Sequence, residues 1–134
     1  MTPRFTLSKK ERLKSLKRIK FLFEQGDKFK VSPLVVYYRY YPTMAGQEEK
    51  FPLKMGVSVG SKYFKKAVDR NLMKRRIREA FRIQKISLQE QLKTSDLSMD
   101  VFFVFAHATM VEYKIVTAAM EAAMEKLTTL IEKR

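Results

Sequence analysis

Apolar and polar positions along the chain divide it into segments of two periodicities. From Ser15 to Gly26, Leu16, Ile19, Leu22 and Phe23 recur at helical spacing. Ser15 is placed as an N-cap and Gly26 as the terminating glycine, so a first helix is expected between them. A short extended stretch follows at Lys28 to Val31. The run Leu34 to Tyr41 is rich in β-branched and aromatic residues, lies between Pro33 and Pro42, and predicts a strand. Residues 42–52 read as a loop. Lys54 to Val59 alternates and predicts the next strand, so an antiparallel hairpin with its predecessor is expected. After a Gly/Ser/Lys turn at 60–66, a helix is expected from Ala67 into the mid-80s. Residues 87–98 fit a helical extension, a loop or both. Asp100 to Ala106 is almost continuously apolar and predicts a buried strand. Thr109-Met-Val-Glu112 has the capping-box pattern. It opens a last helix, 109–133, with Val116, Met120, Ala123, Leu127 and Leu130 on one stripe. The sum is a single α+β domain over 1–134, a sandwich of helices on a sheet of about four strands, with residues 1–12 as a flexible basic arm.

The helix at 67–85 changes the picture from fold to function. At about 100° per residue, Arg70, Asn71, Lys74, Arg75, Arg78, Arg82 and Lys85 share a sector roughly 140° wide. Leu72, Met73, Ile77, Ala80 and Ile83 lie opposite, with Phe81 at the border. Arg76 falls among the apolar residues and needs a partner or a route out. An ordinary solvated face mixes signs, whereas this one is expected to carry no acid. Arg70, Lys74, Arg78 and Arg82 follow one another four apart, and such like-charge neighbours repel unless an anion lies against them. The row suits a phosphate backbone, bound without base specificity and with strong salt dependence. On the 34–41 strand, Val35, Tyr37, Arg39 and Tyr41 share one face. That face is either an ordinary exposed one or a platform for unstacked bases, with Arg39 adding charge and Phe23 bordering it.

Charge and composition agree. The 134 residues carry a formal net charge of +14, with 46% apolar residues and no cysteine. Residues 1–30 hold ten Lys/Arg against three acids, and residues 62–85 ten against two, while Leu88 to the end holds five against seven. Segregation of this kind suits a directed anion-binding surface; nucleic acid is the first candidate and an anionic membrane the second. Without cysteine there is no disulfide frame, Cys-ligated zinc or thiol nucleophile. No apolar run reaches membrane-span length, and no signal peptide is read, so the cytoplasm is the expected compartment.

Protein catalysis finds little support. His107 is the single histidine and reads as structural. Glu48 and Glu49 sit in a loop, and Glu121 and Glu125 on the last helix, without forming a metal cluster. Gly56-Val-Ser-Val-Gly60 has the G-x-S-x-G spacing of a nucleophile elbow. It lies inside an alternating strand, however, not at a strand-to-helix turn. No catalytic residue and no protein metal site are assigned.

Gly56-Val-Ser-Val, followed by Lys65-Lys66-Ala67-Val68-Asp69-Arg70-Asn71-Leu72-Met73-Lys74-Arg75-Arg76-Ile77-Arg78-Glu79-Ala80-Phe81, resembles the signature of the bacterial ribonuclease P protein subunit. The likeness extends to Arg12-Leu13-Lys14, the first helix, the aromatic strand and the apolar strand before the last helix. It implies an α-β-β-β-α-β-α fold with a left-handed βαβ crossover. It also implies a catalytic RNA partner that uses Mg²⁺, held mainly by the RNA, to remove the 5′ leader of precursor tRNA. In that picture Lys65, Lys66, Arg70, Asn71, Lys74, Arg75, Arg78 and Arg82 face the catalytic RNA. Ile19, Phe23, Val35 and Tyr37, with Arg39, line a cleft for the leader. No membrane and no small-molecule cofactor enter. Leu72 departs from the family's usual Arg-Asn-Arg and turns toward the apolar side; Arg75 and Arg76 are the nearby cations placed to compensate. A ribosomal or assembly RNA-binding protein is the alternative function.

Overall fold

In a computed structural model, residue 7, residues 9–43 and residues 51–134 are described. A 3₁₀ turn, Lys9–Glu11, leads to α1 (Leu16–Gln25). Then come β1 (Asp27–Val31), β2 (Leu34–Pro42), β3 (Leu53–Val59), α2 (Ala67–Gln84), α3 (Ile86–Thr94), β4 (Leu97–Phe105) and α4 (Tyr113–Glu132). The four strands form one mixed sheet in the order β1-β2-β4-β3. β1 and β4 both pair antiparallel with β2, and β3 pairs parallel with β4.

This order overturns the expected hairpin, because β4 lies between β2 and β3. Every residue of β4 is buried except the half-buried Val104. A strand buried on both faces is best placed at the centre, where both edges are paired and both faces covered. The β3–β4 connection therefore crosses the sheet through α2 and α3, at the position of the crossover that the resemblance implies.

α2, α3 and α4 cover one face of the sheet. There Leu34 and Val36 of β2, Met55 of β3, and Met99, Val101 and Phe103 of β4 pack against Met73, Ile77 and Phe81 of α2 and Leu88 and Leu92 of α3. α4 contributes the expected stripe of Val116, Met120, Ala123 and Leu127, joined by Ile131, with Leu130 half-buried. The other face carries a smaller cluster under α1: Leu13, Leu22 and Phe102, flanked by Ile19, Tyr37 and Val104. α1 begins where expected, with Ser15 Oγ accepting from the Arg18 N–H at 3.3 Å. Gly26 follows its end, and only glycine fits there, since a Cβ would lie 2.5 Å from the Leu22 carbonyl oxygen. Gly56 likewise leaves room for the Phe102 ring, 2.5 Å from where its Cβ would stand.

Several local expectations are corrected. Residues 87–98 resolve into α3 and the start of β4, and the strand begins three residues before Asp100. The capping box is not made. α4 starts at Tyr113 after Glu112, without a side-chain cap. The Thr109 hydroxyl lies 3.2 Å from His107 Nδ1, which also accepts the Thr109 N–H, so a local turn takes the group that a cap would use. The basic arm is ordered in part: Glu11 is buried, and the Leu13 N–H donates to the Met55 carbonyl at 2.7 Å. Residues 1–6 and 8, and Glu48 and Glu49, lie outside the described residues.

Candidate RNA interface

α2 docks through Met73, Ile77, Ala80 and Phe81, all buried, which leaves a stripe of polar residues facing outward. Phe81 is not at the border of the cationic face. It packs into the core with its ring 5.8 Å from that of Phe103. Ile83, expected on the apolar side, is instead 45% exposed. Arg76 finds its partner: Nη1 donates to the Val111 carbonyl at 2.5 Å, tying α2 to the segment before α4. Leu72 is half-buried on the apolar flank, as the wheel has it.

The cations on α2 have unequal fates. Lys65, Lys66, Asn71 and Arg75 are exposed and Lys74 is half-buried. None of the five makes a side-chain hydrogen bond or ion pair among the described residues. Lys66 is the N-cap and supplies no side-chain acceptor, so the first-turn N–H groups add partial positive charge to that end. Arg70 is spent partly on folding. Its Nη1 donates to the carbonyls of Phe64 at 2.6 Å and Lys65 at 2.8 Å, holding the turn that enters the helix. Arg78 is half-buried. Burial, and then the neighbouring charge of Arg12, lower its guanidinium from the usual value.

Toward the C-terminal end the expected acid-free face breaks down. Arg82 donates to both carboxylate oxygens of Glu79, at 3.0 and 2.5 Å. That contact raises Arg82 and holds the Glu79 carboxyl below the usual carboxylate range. Lys85 leaves the face altogether. It is 1% exposed, and its ammonium is paired with the buried carboxylate of Glu11, which also accepts from Gln89 Nε2 at 3.0 Å. The ideal wheel fails here because α2 ends at Gln84 and Lys85 is the junction with α3.

The second predicted site lies between α1 and the uncovered part of the sheet. Phe23 stands edge-on to Tyr37 (ring centroids 4.7 Å apart) and to Phe102 (5.0 Å). Ile19 and Tyr37 pack on the same small cluster. Val35 is opposite Val104 in the β2–β4 register, next to the Tyr37–Phe102 pair. The structure thus brings Ile19, Phe23, Val35 and Tyr37 together on one sheet face, with Phe23 40% exposed. Arg39 points to that face but is held elsewhere. Its guanidinium lies 4.6 Å from the Phe21 ring centroid, beside a hollow of about 350 Å³ that Lys17, Arg18 and Asp100 also line. Arg18 fixes α1 to the sheet, donating to both oxygens of the buried Asp100 at 2.6 and 3.2 Å and to the Tyr41 hydroxyl at 2.5 Å. Burial alone would lower the Arg18 guanidinium, but Asp100 and Tyr41 together leave it above its usual value. Phe102 and Val104 were missed as cleft residues. Their strand shows in the sequence as a buried run, but nothing local says that it pairs with β2.

A family model described as Ribonuclease P matches residues 7–128, which include both surfaces. The chain belongs to the ribonuclease P protein family. The ribonuclease P protein component of Porphyromonas gingivalis is 34% identical over 126 residues, covering 93% of this chain and 88% of that one. The fold is also that of the family's solved structures. The Staphylococcus aureus ribonuclease P protein superposes with a TM-score of 0.62 at 22% identity, over 87% of this chain and 94% of that one. The Thermotoga maritima protein gives 0.53 at 23%, over 92% and 97%. Membership supports a role as the protein subunit of ribonuclease P and participation in tRNA processing. No described helix is long and apolar enough to cross a membrane.

Proposed function

We propose that this chain is the protein cofactor of ribonuclease P. It binds the catalytic RNA through the outward face of α2 and holds the 5′ leader of precursor tRNA against the α1–β2 cleft. The supporting observation is the placement of Asn71, Lys74 and Arg75, with Lys65 and Lys66, on one face without a side-chain hydrogen bond or ion pair among the described residues. Cations left unpaired in this way favour a polyanion and release its counterions on binding. The partly exposed Phe23 and Tyr37 rings offer unstacked bases an apolar edge, and Lys28 Nζ, 5.8 Å from the Tyr37 ring centroid, adds charge beside it.

In this reading the protein has no nucleophile of its own. It offsets repulsion between two RNAs and positions the leader. Mg²⁺, held mainly by the RNA, would supply the Lewis acidity for phosphodiester hydrolysis. Among the described residues, no three of His, Cys, Asp and Glu converge into a metal site. The cytoplasm, where precursor tRNA is processed, is the proposed compartment.

The test adds the protein to a bacterial ribonuclease P RNA at low magnesium and follows 5′ processing of precursor tRNA. Stimulation is expected; its absence favours an RNA-assembly protein outside the processing complex. Tyr37→Ala should weaken binding of long-leader substrates about tenfold, in line with roughly 1–3 kcal/mol per stacked base. An equal effect on leaderless RNA removes the cleft assignment.

A further inference from the structure

The N-terminal segment and β3 enclose a hollow of about 320 Å³ that neither of the two surfaces above includes. Lys9, Lys10, Arg12, Lys14, Arg18 and Lys54 line it, and no acid lies among its described lining residues. Gathering six cations around one small volume is unfavourable unless an anion is drawn in. Arg18 is already satisfied by Asp100, but the other five make no side-chain ion pair among the described residues.

The hollow is also built, not left to chance. The Leu13 N–H to Met55 carbonyl bond and the Arg12–Met55 bridge lay residues 12–13 along the outer edge of β3. Leu13 is buried beneath α1. The acid nearest in sequence, Glu11, turns the other way and is buried against Lys85. That one inward turn removes the local negative charge from the hollow and anchors the segment to the α2–α3 junction. Arg12 follows directly on Glu11, which is anchored at the C-terminal end of α2, and Leu13 belongs to the α1 cluster, so the hollow lies between the two.

We propose that this hollow is a further RNA phosphate-binding site, taking backbone phosphates of a strand that passes between the α2 face and the α1–β2 cleft. The site rests on the RNA-binding reading above and extends it to residues outside α2. Phosphodiester groups of the catalytic RNA and of the precursor leader share the chemistry that these cations recognise, and the experiment separates the two.

The combined variant Arg12→Ala, Lys14→Ala, Lys54→Ala is compared with a control that removes three cations elsewhere: Lys93→Ala, Lys114→Ala, Lys133→Ala. Both are checked for unchanged circular dichroism and melting. Affinity for the catalytic RNA, and for long-leader and leaderless precursor tRNA in the assembled complex, is measured against salt. The hollow variant should lose about tenfold or more in one of these affinities. Its salt slope should shrink by about 2, at roughly 0.7 per single-strand phosphate contact, while the control holds both. Loss on the catalytic RNA assigns that strand; loss only with long leaders assigns the leader. Unchanged affinity and slope in every arm overturns the site, as does an equal loss in the control. A Lys74→Glu/Arg75→Glu variant run alongside separates the claims. If it weakens binding and the hollow variant does not, only the hollow site falls. If the reverse holds, the hollow stands and the α2 reading falls.

Discussion

The two ends of α2 look alike in sequence and behave differently in the fold. Near its start, Asn71, Lys74 and Arg75 face outward without partners among the described residues; near its end, Arg82 is clasped by Glu79 and Lys85 is buried against Glu11. All five fall in one sector of an ideal helical wheel. The difference comes from what each end meets. The start projects from a turn held by Arg70, whereas at the end Arg82 meets an acid one turn back on its own helix and Lys85 is buried against the N-terminal segment at the junction with α3. A row of positive charge is therefore two things here, a ligand surface and an internal fastening.

The largest expected effect breaks the fastening. Lys85→Ala leaves Glu11 buried without its counter-ion and should cost roughly 3–5 kcal/mol in denaturant unfolding. Replacing both partners, Glu11→Gln with Lys85→Met, should recover most of that loss, since a buried pair is often worth little against neutral residues that fit. A double variant as unstable as the single one would show that the pair itself carries net stability.

Next in size is the open end. Lys74→Glu with Arg75→Glu should weaken affinity for the catalytic RNA by roughly tenfold or more and flatten its salt dependence, with thermal stability nearly unchanged. Arg70 is intermediate between the two ends. Arg70→Ala removes the Nη1 group that donates to two carbonyls and should lower stability by about 1–2 kcal/mol, with a smaller loss of RNA affinity. The smallest effect is expected from Glu79→Gln. Releasing Arg82 should raise RNA affinity only about two- to threefold at low salt, and not measurably at high salt.

The same contrast explains what the sequence could reveal. The β-branched and aromatic run at Leu34–Tyr41 and the stripe from Val116 to Leu127 depend on local burial, and both became the elements expected. The cleft set of Ile19, Phe23, Val35 and Tyr37 came with the family resemblance, and the fold places the four on one sheet face. The β2–β4 pairing was not legible, because strand order is set by which strand most needs two covered faces. Phe102 and Val104 stayed hidden for that reason. Lys85 and Phe81 were misplaced because a helical wheel assumes the helix continues, whereas α2 gives way to α3 at Lys85. Arg12 and Lys54 were missed because the fold brings them together from segments forty residues apart. Arg76 was recognisable as needing a partner, but not as meeting the Val111 carbonyl.

The division of α2 is tested most directly by a comparison of salt slopes. The catalytic RNA is titrated with wild-type protein, with Lys74→Ala/Arg75→Ala and with Arg82→Ala, each over a range of monovalent salt at fixed magnesium. The first variant should lower the slope by about 1–2, and Arg82→Ala should leave it within error of wild type. A slope that falls equally for both would contradict the division of α2 into an open end and a fastened one.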